Sequence, residues 1–380
     1  MSSLSPVSSS RPRASSRWPV RIHRWLGLIA ALLWLVQAVT GSLISFHFEL
    51  EDAMLSTASR PTDLAAIERR MDELAAAGPQ SKVIWIWTTA GLDDRYVINF
   101  IDGDGDHRRA RIDGGGEILR NRKTDDHSFL SLMRELHLTL MAGKIGHWIL
   151  AIAGGLLVTN LVFGLVVAWP RRGSWLRALT PNSQGDRTAT AYSWHRALGL
   201  WAAIPTIFVV GTGTLILFEH QIADLVGAPD VALPANPPEG AEIGFAAAAR
   251  AAVAAIPGSR FVGTTVPSAS DASYYAWVRA PGELYRGGYG GSLVVVDAND
   301  GSIRGAYPAT EAAPAKAFVA SFYPLHTGEA GRTIGRVLVM IAGFWLTALI
   351  VFGVLLWFRR SRRRSSGRNG GTRLAGSGIR

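Results

Sequence analysis

Four uncharged apolar runs interrupt an otherwise polar chain. Leu26–Phe46, Trp148–Trp169, Ala197–Phe218 and Val337–Phe358 are each 21 or 22 residues long without one Asp, Glu, Lys or Arg. A helix rises about 1.5 Å per residue, so each run has the roughly 20 residues needed to cross the hydrocarbon core of a bilayer. Soluble core helices are shorter and keep a polar stripe. The pattern therefore predicts four membrane spans. Between spans one and two, residues 63–77 have helical periodicity, and 82–89, 95–102 and 108–120 alternate like strands. The segment between spans three and four repeats this order, with a helix near 242–256 and strands near 260–266, 274–279 and 292–307. Each reads as an α+β unit, a helix on a three-stranded antiparallel sheet of about 60 residues.

Charge sets the orientation. Residues 1–25 hold five Arg and no acid, 170–196 five Arg and one Asp, and 359–380 eight Arg and no acid. The segments 49–147 and 219–336 hold 21 basic and 28 acidic residues. The net charge of +10 thus divides into +17 on one side and −7 on the other, which places both termini in the cytoplasm by the positive-inside rule. The basic balance reflects topology and contact with the lipid bilayer; no nucleic-acid-reading motif is present. Span one is expected to be retained, because it exceeds a usual signal-peptide core and Ser45-Phe46-His47 is a poor cleavage site. The absence of cysteine excludes iron–sulfur clusters, thiol redox chemistry and haem attachment through Cys-x-x-Cys-His. Asp102-Gly-Asp-Gly-Asp106 is expected to be a hairpin turn, since His107 and Asp113 stand where a calcium loop needs Gly and Glu. The Ser-, Gly- and Arg-rich ends, 1–17 and 361–380, are expected to be disordered.

The two halves of the chain repeat. His23-Arg-Trp-Leu-Gly-Leu28 recurs as His195-Arg-Ala-Leu-Gly-Leu200, and Thr40-Gly-Ser-Leu43 as Thr212-Gly-Thr-Leu215, both at an offset of 172. Leu136-His137, Ile145-Gly146 and Phe163-Gly164 recur as Leu325-His326, Ile334-Gly335 and Phe352-Gly353, all at an offset of 189. Each half is span, outer segment, span, a parallel repeat about an axis along the membrane normal.

Histidines mark this symmetry. His23 and His195 lie at the cytoplasmic ends of spans one and three, and His137 and His326 precede spans two and four on the outside. His47 and His220 close the outer ends of spans one and three, one register step apart, and His147 is matched by Arg336. His107 and His127 read as surface residues. Ionisable groups near a bilayer core are costly and mark function, although a single interfacial His also serves as a headgroup-level anchor. Symmetry-related pairs offer a metal two trans imidazoles, as an axially ligated haem requires. Gly27 and Gly199, four residues after His23 and His195, leave a bare patch on the same helix face. That patch suits either a porphyrin or close helix packing. The 24 residues from His23 to His47 span about 36 Å of helix. Inner and outer histidines therefore cannot share a metal, and two haems at two depths is the economical arrangement. Arg24 and Arg196 are candidates for haem propionates or for positive-inside anchoring, and Trp34 stands at mid-depth.

These repeated motifs resemble the PepSY-associated transmembrane family from about His23 to Arg360. The resemblance implies an all-α transmembrane four-helix bundle made by duplication, with two α+β PepSY-like periplasmic domains. The corresponding divisions are a disordered terminus (1–20), spans with their approaches at 21–48, 136–169, 194–220 and 325–358, periplasmic domains at 49–135 and 221–324, a cytoplasmic loop at 170–193 and a basic tail at 359–380. It further implies a bacterial inner-membrane protein of iron uptake, similar to dihaem ferric-siderophore reductases. In that reading two b-type haems bind at His23, His195, His137 and His326, and electrons pass to a ferric siderophore or other ferric chelate in the periplasm. The sequence departs from the pattern in having Leu138-Thr139 after His137, where the second repeat has Thr327-Gly328. The outer ligands are thus His137 with His326, which follow the repeat without a slip, or else His47 with His220. No flavin or nicotinamide fingerprint is present, so the donor is a quinol or a separate cytoplasmic reductase. Competing readings are a haem-free membrane-anchored binding or regulatory protein and a transporter; the scarcity of polar groups in the spans disfavours transport.

Overall fold

The computed structural model describes residues 18–374 apart from 57, 126–127, 229–232, 234–235, 241 and 287; His127 and the 1–17 stretch lie outside the described residues. In the first half, α1 (Trp18–Ile29), α2 (Ala31–Ile44) and α3 (His47–Ala53) lead to α4 (Leu64–Ala75). Strands β1 (Lys82–Thr88), β2 (Arg95–Ile101), β3 (His107–Asp113) and β4 (Ile118–Lys123) follow, then α5 (Phe129–Thr139) and α6 (Gly143–Ala168). After a short α7 (Trp175–Leu179), the second half repeats the order. It comprises α8 (Arg187–Ile216), α9 (Glu219–Leu225), α10 (Phe245–Ala255), β5 (Arg260–Thr265), β6 (Ser273–Arg279), β7 (Ser292–Asp297), β8 (Ile303–Tyr307), α11 (Pro314–Ala320), α12 (Phe322–His326) and α13 (Arg332–Leu374).

Three helices are long and apolar enough to cross a membrane: α6, α8 and the helical segment of α13. Counting α1 and α2 as one span bent by 67° makes four. The protein is therefore a multi-pass membrane protein with three to four spans. The expected unbroken first span is corrected to a bent pair interrupted at Ala30. Helix α13 runs on to Leu374, into the tail read from sequence as disordered.

The chain forms two compact units. One comprises the described residues up to Leu32, Leu156–Ala203 and those from Ala348 onward; the other comprises Leu33–Gly155 and Ile204–Thr347. The first is helical throughout. The second holds the remaining helical segments and all eight strands.

The sheet corrects the expectation of two separate domains. All eight strands form one antiparallel sheet in the order β4-β3-β2-β1-β5-β6-β7-β8, joined where Trp85, Ile86 and Trp87 of β1 pair with Thr265, Thr264 and Gly263 of β5. The result is a mixed α/β membrane protein, not an all-α bundle carrying two independent modules. Each half supplies four strands where three were expected, because Gly114–Gly116 and Asn299–Gly301 turn the chain inside what read as one long strand. Gly263 makes the junction possible: a Cβ there would lie 2.4 Å from Cε3 of Trp87. Helices α4 and α10 pack on each other and on the sheet. Ile67 and Met71 of one and Phe245, Ala249 and Ala252 of the other share a single core with Ile86, Ile98, Tyr274 and Val294. Removing an apolar side chain such as that of the fully buried Ile67 from a packed core costs about 2–5 kcal/mol.

Asp102–Asp106 is a hairpin turn between β2 and β3. The Asp102 carboxylate accepts the backbone N–H groups of Asp104 and Asp106, and Gly105 takes a positive φ of 84°. His107, next to it, is exposed.

Candidate functional site

Within the helical unit, the rings of His23 and His195 face each other with centroids 6.1 Å apart and planes at 46°. Within the second unit, His137 and His326 do the same at 6.2 Å and 21°. The structure thus brings together both repeat-equivalent pairs. It does not pair the alternative outer residues: His220 is exposed on α9, while His47 begins α3 and its Nδ1–H donates to the Ile44 carbonyl at 2.6 Å. Nε2 of His47 is buried without a hydrogen bond, and burial lowers its pKa.

Each paired ring is held through Nδ1. That of His23 donates to the carbonyl of Asn160 at 3.0 Å and that of His195 to the carbonyl of Leu349 at 3.0 Å. Asn160 and Leu349 are themselves repeat-equivalent, at the offset of 189. His326 donates to the Val209 carbonyl at 2.8 Å. His137 donates to Oγ1 of Thr40 at 3.2 Å and is also bonded by the carbonyl of Gln37, the repeat equivalent of Val209. A carbonyl only accepts, so these bonds fix the proton on Nδ1 and leave the Nε2 lone pair free. Burial lowers the pKa of His137 to about 4, with further lowering by His326. It lowers that of His326 as well. The outer pair is therefore neutral near pH 7, as metal ligation requires.

Four glycines floor the rings. A Cβ on Gly164 would lie 2.9 Å from Cε1 of His23, and one on Gly353 would lie 3.2 Å from Cε1 of His195. For the outer pair the distances are 2.7 Å from Gly41 to His137 and 2.5 Å from Gly213 to His326. Gly27 and Gly199, singled out from sequence, contact other groups. A Cβ there would meet Asn160 at 3.4 Å and Leu349 at 3.7 Å, the two residues whose carbonyls anchor the inner histidines. The signal for these four was available in the sequence, since Gly41, Gly213, Gly164 and Gly353 all stand in the repeated motifs.

The other candidates have distinct placements. Arg24 is exposed and lies over the Trp25 ring at 5.3 Å, whereas Arg196 donates twice to the carbonyl of Ala168, the last residue of α6. A cation at a helix C-terminus is favourable. Trp34 is buried, and its Nε1–H donates to the Ala153 carbonyl at 3.1 Å, so it is a packed residue. His147 and Arg336 prove to be functional equivalents in packing. Nε2 of His147 bonds the Leu217 carbonyl at 3.0 Å, and Arg336 bonds the carbonyl of Ser45, the repeat equivalent of Leu217, while also pairing with Glu49.

The same duplicated motifs that supply the pairs, their anchors and their glycine floors run through the chain from the first helix to the last. No curated protein matches the chain. The description of a PepSY-associated TM region fits residues 20–360, nearly all of both repeats, and the chain belongs to that family.

Proposed function

We propose that this protein is a b-type dihaem protein of the bacterial inner membrane, which passes electrons from the cytoplasmic side to a ferric siderophore or other ferric chelate in the periplasm. The observation that carries the reading is the spacing of the two histidine pairs. A metal–imidazole bond is about 2.0 Å and a ring centre lies about 1.1 Å behind its nitrogen, so two imidazoles trans on one metal place their centres about 6.2 Å apart. The pairs measure 6.1 and 6.2 Å.

Haem bound at each pair would supply a one-electron carrier. The chain's own residues prepare the site for it. His23 with His195, and His137 with His326, present free Nε2 lone pairs. The carbonyls of Asn160, Leu349 and Val209, with Thr40, hold each ring by its other nitrogen, which orients a ligand and raises its basicity. The glycine floors let each ring lie against the neighbouring helix, where a Cβ on Gly164, Gly41 or Gly213 would displace it and one on Gly353 would crowd it. The positive-inside asymmetry supports a cytoplasmic position for both termini. Each half-sheet with its helix, α4 with β1–β4 and α10 with β5–β8, is read as one PepSY-like module fused edge to edge with the other. The donor is a quinol or a separate cytoplasmic reductase.

A visible spectrum of the detergent-purified protein tests this. The expected result is a sharp reduced-minus-oxidised band and about two haems per chain. Replacing His23 or His195 by Ala is expected to remove one haem and spare the other. A colourless protein overturns the proposal in favour of a haem-free binding or regulatory role for the sheet.

A further inference from the structure

The outer side of the chain is acidic, with 28 acidic against 21 basic residues in its two segments. One corner of the second unit departs from this. Arg279, on β6, and Arg332, at the start of α13, both lie over the ring of Tyr285, at 4.9 and 5.2 Å. Arg286 lies over the ring of Tyr323 at 5.6 Å. Among the described residues none of the three makes an ion pair, whereas the neighbouring Arg134 and Arg336 pair with Glu135 and Glu49. Arg279 donates to the backbone carbonyl of Tyr289, and Nε of Arg286 is buried without a hydrogen-bond partner.

The patch adjoins the outer histidines through the chain itself. Tyr323 stands three residues before His326 on α12, and Arg134, its repeat equivalent, stands three before His137 on α5. Residues three apart share a helix face, so Tyr323 and Arg134 lie one turn before the histidines on the same faces of α12 and α5. Burial raises the pKa of the Tyr323 hydroxyl, and the Glu329 carboxylate raises it further while Arg286 and Arg134 oppose. Glu329 and Glu283 are the acids beside this group; Glu329 is buried with one carboxylate oxygen lacking a partner, and the Glu283 carboxylate accepts from the Gly291 N–H and the Ser292 hydroxyl. Three guanidinium groups against two carboxylates still leave a net positive, aromatic-walled surface.

Backbone geometry supports a role for Arg332. It is an exposed non-glycine residue with φ of 53° and ψ of −145°, a strained conformation of the kind that clusters at functional sites. Glycine would adopt it freely.

We infer that Arg279, Arg286 and Arg332, with Tyr285 and Tyr323, bind the ferric chelate itself, and that the chelate is an anion bearing carboxylate or catecholate oxygens. Guanidinium forks match such oxygens bidentately, and the tyrosine faces suit planar ligand arms. The same charge disfavours a cationic trihydroxamate chelate. The inference rests on the reductase reading for its chemistry, but its test does not. Gallium(III) citrate is redox-inert, so its binding is independent of haem. Titrated calorimetrically into the full chain in zwitterionic nanodiscs, it is expected to bind, and Arg286→Gln with Arg332→Gln together to weaken binding at least tenfold. Arg332→Gly, which keeps the backbone conformation at lower strain, should weaken binding while raising the melting temperature, and this separates ligand loss from misfolding. Unchanged gallium citrate affinity in these variants, or equal affinity for a cationic trihydroxamate, overturns the inference. A colourless protein that still binds gallium citrate through these arginines would remove the reductase reading and leave this site standing.

Discussion

The inner and outer histidine pairs are built from the same parts and closed to different degrees. His23 and His195 stand over glycines whose absent Cβ atoms would be 2.9 and 3.2 Å away, and their planes are 46° apart. His137 and His326 stand over glycines at 2.7 and 2.5 Å, with planes 21° apart. Both inner rings donate to carbonyls, while the outer pair uses one carbonyl and one threonine hydroxyl beside a carbonyl. The outer pair is therefore the tighter and less symmetric of the two. It also belongs to the unit that carries the sheet, whereas the inner pair belongs to the helical unit. Duplication supplied two similar sites, and their neighbours have since set them apart.

The largest expected effect comes from filling a floor. Gly213→Ala puts a methyl 2.5 Å from Cε1 of His326, so the ring must leave its place even though Ala is the better helix former by about 1 kcal/mol. On the proposed dihaem reading, which the remaining spectroscopic tests share, loss of the outer haem band with the inner band retained is expected in the reduced-minus-oxidised spectrum. Gly353→Ala, at 3.2 Å from His195, should only broaden or shift the inner band. Equal responses at the two positions would erase the distinction drawn between the pairs.

Next comes the tie between α3 and the sheet. Asp52 is 2% exposed and accepts from Thr89 Oγ1, the Leu92 N–H and Arg111, which also pairs with Glu51. Asp52→Ala removes a buried partner from a guanidinium and leaves two further donors unmet, at a cost of about 3–5 kcal/mol. Thermal denaturation followed in the two haem bands should show the outer signal failing first. Simultaneous loss would mean that the sheet supports both pairs alike.

Much of this was legible in the chain. The offsets of 172 and 189 identified all four paired histidines, because a duplication carries its residues in register. Gly27 and Gly199 came from looking along the histidine's own helix, whereas the glycines that lie against the rings, Gly164, Gly353, Gly41 and Gly213, are on neighbouring helices. The ring instead leans on a neighbour, and a four-residue spacing says nothing about contacts between helices. The single sheet was missed for a related reason: nothing in an alternating strand names its partner. One hint existed. Lys82–Thr88 reads Lys-Val-Ile-Trp-Ile-Trp-Thr, apolar on both faces, which suits an interior strand better than the edge of a small independent domain. The pairing of β1 with β5 supplies the second neighbour.

A smaller effect should separate the two outer histidines. Thr40 Oγ1 donates to the Val36 carbonyl at 2.6 Å and accepts from His137, whereas Thr212 Oγ1 donates to Phe208 and Val209 carbonyls without meeting His326. Thr40→Ala is expected to cost about 1 kcal/mol and to move the outer midpoint potential in a redox titration. Thr212→Ala should leave that potential where it was. If both substitutions move it equally, the hydroxyl is not part of how His137 is held.

The least disruptive test acts on the inner pair. Asn160 and Leu349 occupy equivalent positions and offer equivalent carbonyls to His23 and His195, yet one side chain is polar and the other apolar. The amide oxygen of Asn160 is buried without a partner, and an unsatisfied buried acceptor costs about 1–3 kcal/mol. Asn160→Leu keeps the backbone carbonyl, removes the orphaned oxygen and makes the two sides alike. The variant should melt at the same temperature or slightly higher, with the inner band unchanged, because His23 is held by the main chain. A lost or shifted inner band would instead show that the amide itself touches what the histidines bind, and would make the inner site as asymmetric as the outer one.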